Sequence, residues 1–225
     1  MYILVYFALI IAVPIFIQMY LKKTYAKYLK VGASSGMTGA QAARKVLDEN
    51  GLYNINIEAV KGKLSDHYDP RAKAVRLSED NYYGTSISSI SVATHEVGHA
   101  IQDAEEYAFL RFRHALVPVA SFGSNFSFIF IIAGMLMQWS GALLLGIILM
   151  GGAVAFQFIT LPVEFDASNR ARAAMVSSGL IRNDEESGVK RVLNAAALTY
   201  VAATVVAVLE LLRFVLMYLG MNSDD

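Results

Sequence analysis

His95-Glu-Val-Gly-His99 is the segment best equipped for chemistry. Two histidines four apart on a helix lie one turn from each other on the same face, so their rings can converge on one tetrahedral metal ion. Glu96 follows the first of them, where its carboxylate can take a proton from a water at that ion. Gly98 leaves room on the opposite part of that turn. The alternative is a pair of structural histidines on an amphipathic helix, but that leaves unexplained why two of only four histidines sit at this spacing beside a carboxylate. Without cysteine, a Cys-ligated metal, an iron–sulfur site, a disulfide framework and a cysteine nucleophile are all excluded.

A helix must carry that motif, and its start is marked. Thr85-Ser86 supplies an N-cap, and Ile87, Ile90, Val97 and Ile101 repeat at helical spacing, so the sequence predicts a helix over 87–110. Asp103, Glu105 and Glu106 keep it out of lipid. Upstream, Thr38-Gly-Ala-Gln41 has capping-box spacing for a helix running to Asn50, with Gly51 as its stop. Alternation over Leu52–Glu58 predicts a half-buried strand, and Ala72–Leu77 a second. Between them, Lys61-Gly62 and Ser65–Pro70 break regular structure, and the whole is a small sheet or ribbon.

The rest of the chain belongs to a bilayer. Of 225 residues, 56% are apolar and 17% charged, with a mean hydropathy of +0.45, which excludes a disordered chain and disfavours an ordinary soluble domain. Nineteen Lys plus Arg balance nineteen Asp plus Glu, so nothing marks a nucleic-acid binder. Residues 1–21 are free of charge and are followed at once by Lys22-Lys23, which predicts an uncleaved anchor bent at Pro14. No basic residue precedes the apolar run, and no convincing small-residue cleavage site follows it, so a secretory signal fits less well. Residues 115–163 hold no charge and are long enough for two crossings, about 116–137 and 142–162, turning at Gln138-Trp139-Ser140-Gly141. A fourth span covers about 195–219; within it Glu210 and Arg213, three apart on one face, can offset each other's burial, face a neighbouring helix or snorkel to an interface.

Four crossings put residues 22–114 and 164–194 on one side. They carry thirteen and five of the Lys and Arg residues, the Trp139 turn carries none, and the tail after Gly220 is acidic. By the positive-inside rule both charged segments are cytoplasmic and both termini outside. The expectation is a mainly α integral membrane protein of one domain over residues 1–225, with four transmembrane helices and a small cytoplasmic α+β catalytic region.

A catalytic metal needs a third protein ligand. The second arm of the hairpin returns to the level of the His95–His99 helix at Leu-Pro-Val-Glu164, which makes Glu164 the preferred ligand despite its distance in sequence. Asp166 is then an acceptor behind the ligands or a solvated surface residue. Two His and one Glu leave a fourth position for water, the composition of a catalytic and not a structural zinc site.

The stretches SDHYDPRAKAVRLSEDNYYGTSISSISVATHEVGHAIQ, LPVEFDASNRA and VLNAAALTYVAAT carry a resemblance over nearly the whole chain. The sequence resembles the YugP-like family of bacterial membrane zinc metallopeptidases and, more distantly, the membrane gluzincins of the HtpX-like and CAAX-prenyl-protease group. The resemblance implies Zn2+ held by His95, His99 and Glu164, with Glu96 activating water. The distant group usually has an acidic residue four positions after its ligand Glu, whereas this chain has Ser168 there. That departure weakens any transfer of the distant group's supporting residue and of its substrate preference.

The function expected is a zinc-dependent membrane endopeptidase acting on peptide or membrane-protein substrates at the cytoplasmic surface of the lipid bilayer of the cell membrane. The strand at 74–77 is a candidate edge for pairing with an extended substrate, or simply the outer strand of the sheet. His67, Tyr68, Tyr82 and His114 are candidate oxyanion donors, His67 first because the resemblance includes its HYDP segment. A prenyl-protein-type protease and a catalytically inactive zinc-binding scaffold are the alternatives. An intramembrane protease is disfavoured because the motif helix is acidic and no LDG sequence occurs.

Overall fold

The computed structural model describes residues 2–221, and for residues 2–5 the backbone only. The expectation for the acidic C-terminal tail falls on residues 222–225 and lies outside the described residues. The order of elements is α1 (Tyr2–Tyr28), α2 (Gly39–Glu49), β1 (Asn56–Val60), β2 (His67–Asp69), β3 (Ala74–Ser78), α3 (Glu79–Tyr82), α4 (Ile87–Ala104), α5 (Ala108–Leu136), α6 (Ser140–Ser177) and α7 (Glu186–Met221). Four of these, α1, α5, α6 and α7, are long and apolar enough to cross a membrane. The chain is a multi-pass membrane protein of mainly helical fold with a mixed α/β region outside the spans. Side chains such as Ile11, Phe16, Ile129 and Ile148 are more than half exposed, which is costly in water and favourable in lipid.

The chain divides into two compact units. One comprises the described residues of 1–15, 108–162 and 200–225. Its core is Ile131, Leu143, Ile147, Met150 and Phe214, and the helices of the hairpin approach closely: a Cβ on Gly134 would stand 2.5 Å from the Leu143 nitrogen. In this unit the Arg213 guanidinium lies over the rings of Tyr6, Phe7 and Phe214, while Tyr6 donates to Glu210 at 3.4 Å. Of the three fates open to the Glu210 and Arg213 pair, the structure thus shows contact with a neighbouring helix.

The other unit comprises residues 16–107 and 163–199. Here α2, β3, α4 and the parts of α6 and α7 within it share one core that includes Val46, Leu47, Val75, Leu77, Ile90, Val97, Met175 and Val189. The capping box on α2 forms as its sequence requires, Thr38 Oγ1 accepting from Gln41 N and Gln41 Oε1 from Thr38 N. Ser86, one of the two caps expected for α4, accepts from Ser89 N.

The sheet differs from expectation in an instructive way. Its order is β1-β3-β2, with β1 parallel and β2 antiparallel to β3. The strand at 74–78 is therefore the central one, paired on both sides, and offers no edge to a substrate; its near-complete burial, broken only at Arg76, agrees. Part of the Ser65–Pro70 stretch, read as breaking regular structure, forms β2. Asp69 makes that possible by accepting from Arg71 N and Ala72 N across the turn and from Arg76 Nη1 along the sheet. Arg76 also reaches Glu58 on β1, so one guanidinium ties all three strands. The strand expected at 52–58 begins later, at Asn56. The helix expected over 87–110 stops at Ala104, because Glu106 takes a positive φ of 54° and breaks it before α5 begins.

Candidate metal centre

Two helical stripes build the site. On α4, His95, Gly98, His99 and Gln102 recur at intervals of three and four; on α6, Glu164, Ala167, Ser168 and Ala171 do the same, so each set occupies one face. Gly98 sits against Ala167, where a Cβ would stand 2.6 Å from the carbonyl oxygen. The two stripes consequently meet at a separation set by bare backbone.

That contact brings three donors together. Ligand atoms of His95, His99 and Glu164 all lie within 4.8 Å of one another. Glu164 Oε2 is 3.3 Å from His95 Nε2 and 3.6 Å from His99 Nε2. Ligand bonds of about 2.0–2.2 Å in a tetrahedron put neighbouring ligand atoms about 3.3–3.6 Å apart, and both Glu164–histidine distances fall in that range. The imidazoles cross at 82° with centroids 4.8 Å apart, which separates their ring faces while their Nε2 atoms turn toward Glu164. All three side chains are largely enclosed, Glu164 most of all.

Each histidine is held from behind. His99 Nδ1 lies 3.0 Å from Gln102 Oε1, and His95 Nδ1 lies 3.2 Å from Ser168 Oγ. Buried Gln102 in turn donates to the Val163 carbonyl and to Asp166 Oδ2, each at 2.8 Å. Arg170 then joins Asp166 to Glu105. Asp166 is thus an acceptor behind the ligands, the first of its two expected places. The Ser168 hydroxyl meets His95. Gln102 was not singled out from the sequence, although its position three residues after His99 was the available signal.

Glu96 is buried beside this cluster, 8% exposed. Burial pushes its carboxyl up to about 7; the nearby Glu164 and Asp66 charges act in the same direction, while His95 and the backbone N–H of Tyr68 oppose them. A carboxyl near neutrality can both accept and return a proton. The Tyr68 contact also places strand β2 next to the site. Tyr68 is fixed there by its hydroxyl, which donates to Asp103 at 2.8 Å, and Lys73 binds the same Asp103 oxygen. Of the other oxyanion candidates, His67 is exposed with Nδ1 2.8 Å from the Ser65 carbonyl, Tyr82 is on α3 against the core of the unit, and His114 is on α5.

Residues 1–219 match the family described as "Putative neutral zinc metallopeptidase". The chain belongs to this zinc metallopeptidase family. It is also 54% identical over 208 residues, 92% of each chain, to a protein of Bacillus subtilis (strain 168) named "Putative membrane protease YugP". No solved structure matches the chain. Family membership and the His-His-Glu cluster together make this a metallopeptidase, a peptide-bond hydrolase with a site able to hold a metal ion.

Proposed function

We propose that the chain is a zinc endopeptidase of one catalytic domain over residues 1–225, hydrolysing peptide bonds of membrane-tethered or membrane-proximal substrates at the cytoplasmic face of the cell membrane. His95, His99 and Glu164 hold the ion, and Glu96 is the general base. The observation that carries this reading is the convergence of three ligand atoms within 4.8 Å beside a buried acid. The continuity of α6 from an apolar span to Glu164 supports a site close to the bilayer surface.

Zinc bound there supplies Lewis acidity, lowering the pKa of a water and polarising the scissile carbonyl. The protein supplies the proton chemistry. Glu96 accepts a proton from the attacking water at its carboxylate and delivers it to the amine that leaves, so it ends the cycle as it began. Its burial excludes bulk water from that transfer. Strand β2 pairs only with β3 among the described strands and its Tyr68 N–H meets Glu96, so β2 borders the place where a substrate chain would lie.

The test is hydrolysis of an unbiased peptide library, including prenylated and membrane-tethered peptides, by purified protein of measured zinc content. Cleavage abolished by a chelator and restored by zinc is expected. Absence of cleavage with zinc bound would favour the inactive scaffold, and cleavage confined to prenylated peptides the prenyl-protein-type protease.

A further inference from the structure

Gln102 makes three hydrogen bonds, and their chemistry fixes more than its own position. Its amide end lies 2.8 Å from the Val163 carbonyl oxygen. A peptide carbonyl can only accept, so the atom facing it must be the amide nitrogen, and the contact with Asp166 Oδ2 at 2.8 Å agrees. The other end of the amide, Oε1, then faces His99 Nδ1 at 3.0 Å. An amide oxygen likewise only accepts. Nδ1 of His99 must therefore carry a hydrogen, which reserves Nε2 as the atom that can bind a metal.

His95 is held differently. Its partner is the Ser168 hydroxyl, which can donate or accept and so imposes no tautomer by itself. With Nδ1–H spent on Gln102, a neutral His99 would turn the lone pair of Nε2 toward Glu164 Oε2 across 3.6 Å. A cation, either a proton or a metal ion, fits between two acceptors that face each other in this way.

We infer that Gln102 is a positioning residue that commits His99 to bind through Nε2 and, by bonding the Val163 carbonyl and Asp166, fastens α4 to the turn of α6 that carries Glu164. One side chain thereby sets the protonation pattern of the second ligand and the placement of the third. Gln102 is fully buried, so water does not replace these bonds when they are lost. This rests on the zinc site proposed above.

The first measurement needs no variant. The chain has four histidines, so 15N-histidine labelling gives few enough ring signals to assign His99 through the H99N variant. Nδ1 of His99 should carry a hydrogen in metal-free and zinc-loaded protein alike; a bare Nδ1 in either would overturn the proposal. The second measurement is zinc affinity by chelator competition. Gln102→Leu should weaken binding about 10–100-fold while the protein stays folded, the range typical of losing a partner behind a ligand. Gln102→Glu, which sets an acceptor against the Val163 carbonyl and Asp166, should also bind zinc more weakly, and adding Asp166→Asn should recover part of that loss by restoring a donor between the helices. Wild-type affinity in folded Q102L, or no recovery in Q102E/D166N, would overturn the proposal. Wild-type protein that binds no zinc would instead sink the metal-site assignment and leave the protonation pattern standing on the spectrum alone.

Discussion

Gly98 on α4 and Ala167 on α6 approach so closely that a Cβ on the glycine would stand 2.6 Å from the Ala167 carbonyl oxygen and 3.1 Å from its Cα. The opposing atoms are helix backbone and cannot swing aside. Glycine thus sets the separation of the two helices that carry His95, His99 and Glu164. Gly98→Ala should cost about 1–3 kcal/mol, the usual range for overpacking a filled interior, and should weaken zinc binding by forcing the helices apart. Thermal unfolding and chelator competition on the same preparation check both; an unchanged midpoint with unchanged affinity would show that the contact has no such role.

On the proposed assignment, removing Glu164 should matter more than removing any supporting residue. Glu164→Ala takes away a direct donor, so the loss of affinity should exceed the roughly 10–100-fold that follows removal of a partner behind a ligand. Metal analysis after dialysis gives the answer, and zinc retained at wild-type stoichiometry by E164A would reject the ligand.

Glu96→Gln separates the ion from the proton. Glutamine is nearly isosteric and leaves all three ligands in place, but it cannot take a proton from water at neutral pH. Peptide hydrolysis should fall by at least about 100-fold, the lower end of what general base catalysis contributes, while zinc content and thermal stability persist. An E96Q protein that cleaves like wild type with equal zinc would refute the assigned base.

Much of the candidate site was legible in the sequence, for physical reasons that also explain the gaps. The spacing of His95 and His99 is a helical repeat, and the charge-free run from Ala115 to Val163 forces a return that ends beside Glu164. Spacing of this kind reports what lies within one helix or one crossing. Strand order does not follow from it: the run Ala74–Ser78 has the same composition whether it is central or at an edge, and only the pairing of β2 on its far side decides. Gln102 escaped for a related reason. A glutamine on a polar helix is unremarkable until the Val163 carbonyl, 61 residues away, is found opposite its amide.

Asp69 gives the sheet a pH dependence whose sign can be worked out. Its carboxyl is held below the ordinary carboxylate value, chiefly by the Ala72 backbone N–H and the Arg76 side chain. A group depressed in the folded state contributes stability that is fully present above its unfolded value, about 3.9, and is lost as pH falls through the folded one. Amide protection across the β2–β3 turn should therefore decline in acid, and Asp69→Asn should remove that step while lowering protection at neutral pH. An identical acid response in D69N would assign the effect elsewhere.

The proposed membrane orientation rests on where the cations stand. Thirteen of nineteen Lys and Arg residues fall in 22–114, five in 164–194 and none in the turn at Trp139. On the proposed orientation the segments bearing this excess are cytoplasmic, and four crossings would then leave the Trp139 turn and both termini outside. Because the chain has no cysteine, single cysteines introduced at Ser35, Ser140 and Ser223 report without background. An impermeant thiol reagent applied to intact cells should label the second and third but reach the first only after lysis. Labelling of the cysteine at 35 together with the other two in intact cells would overturn the four-span arrangement, whereas labelling at 35 alone would keep the spans and reverse their direction. In the latter case the metal site would work outside the cell, and its peptide substrates would have to be sought there.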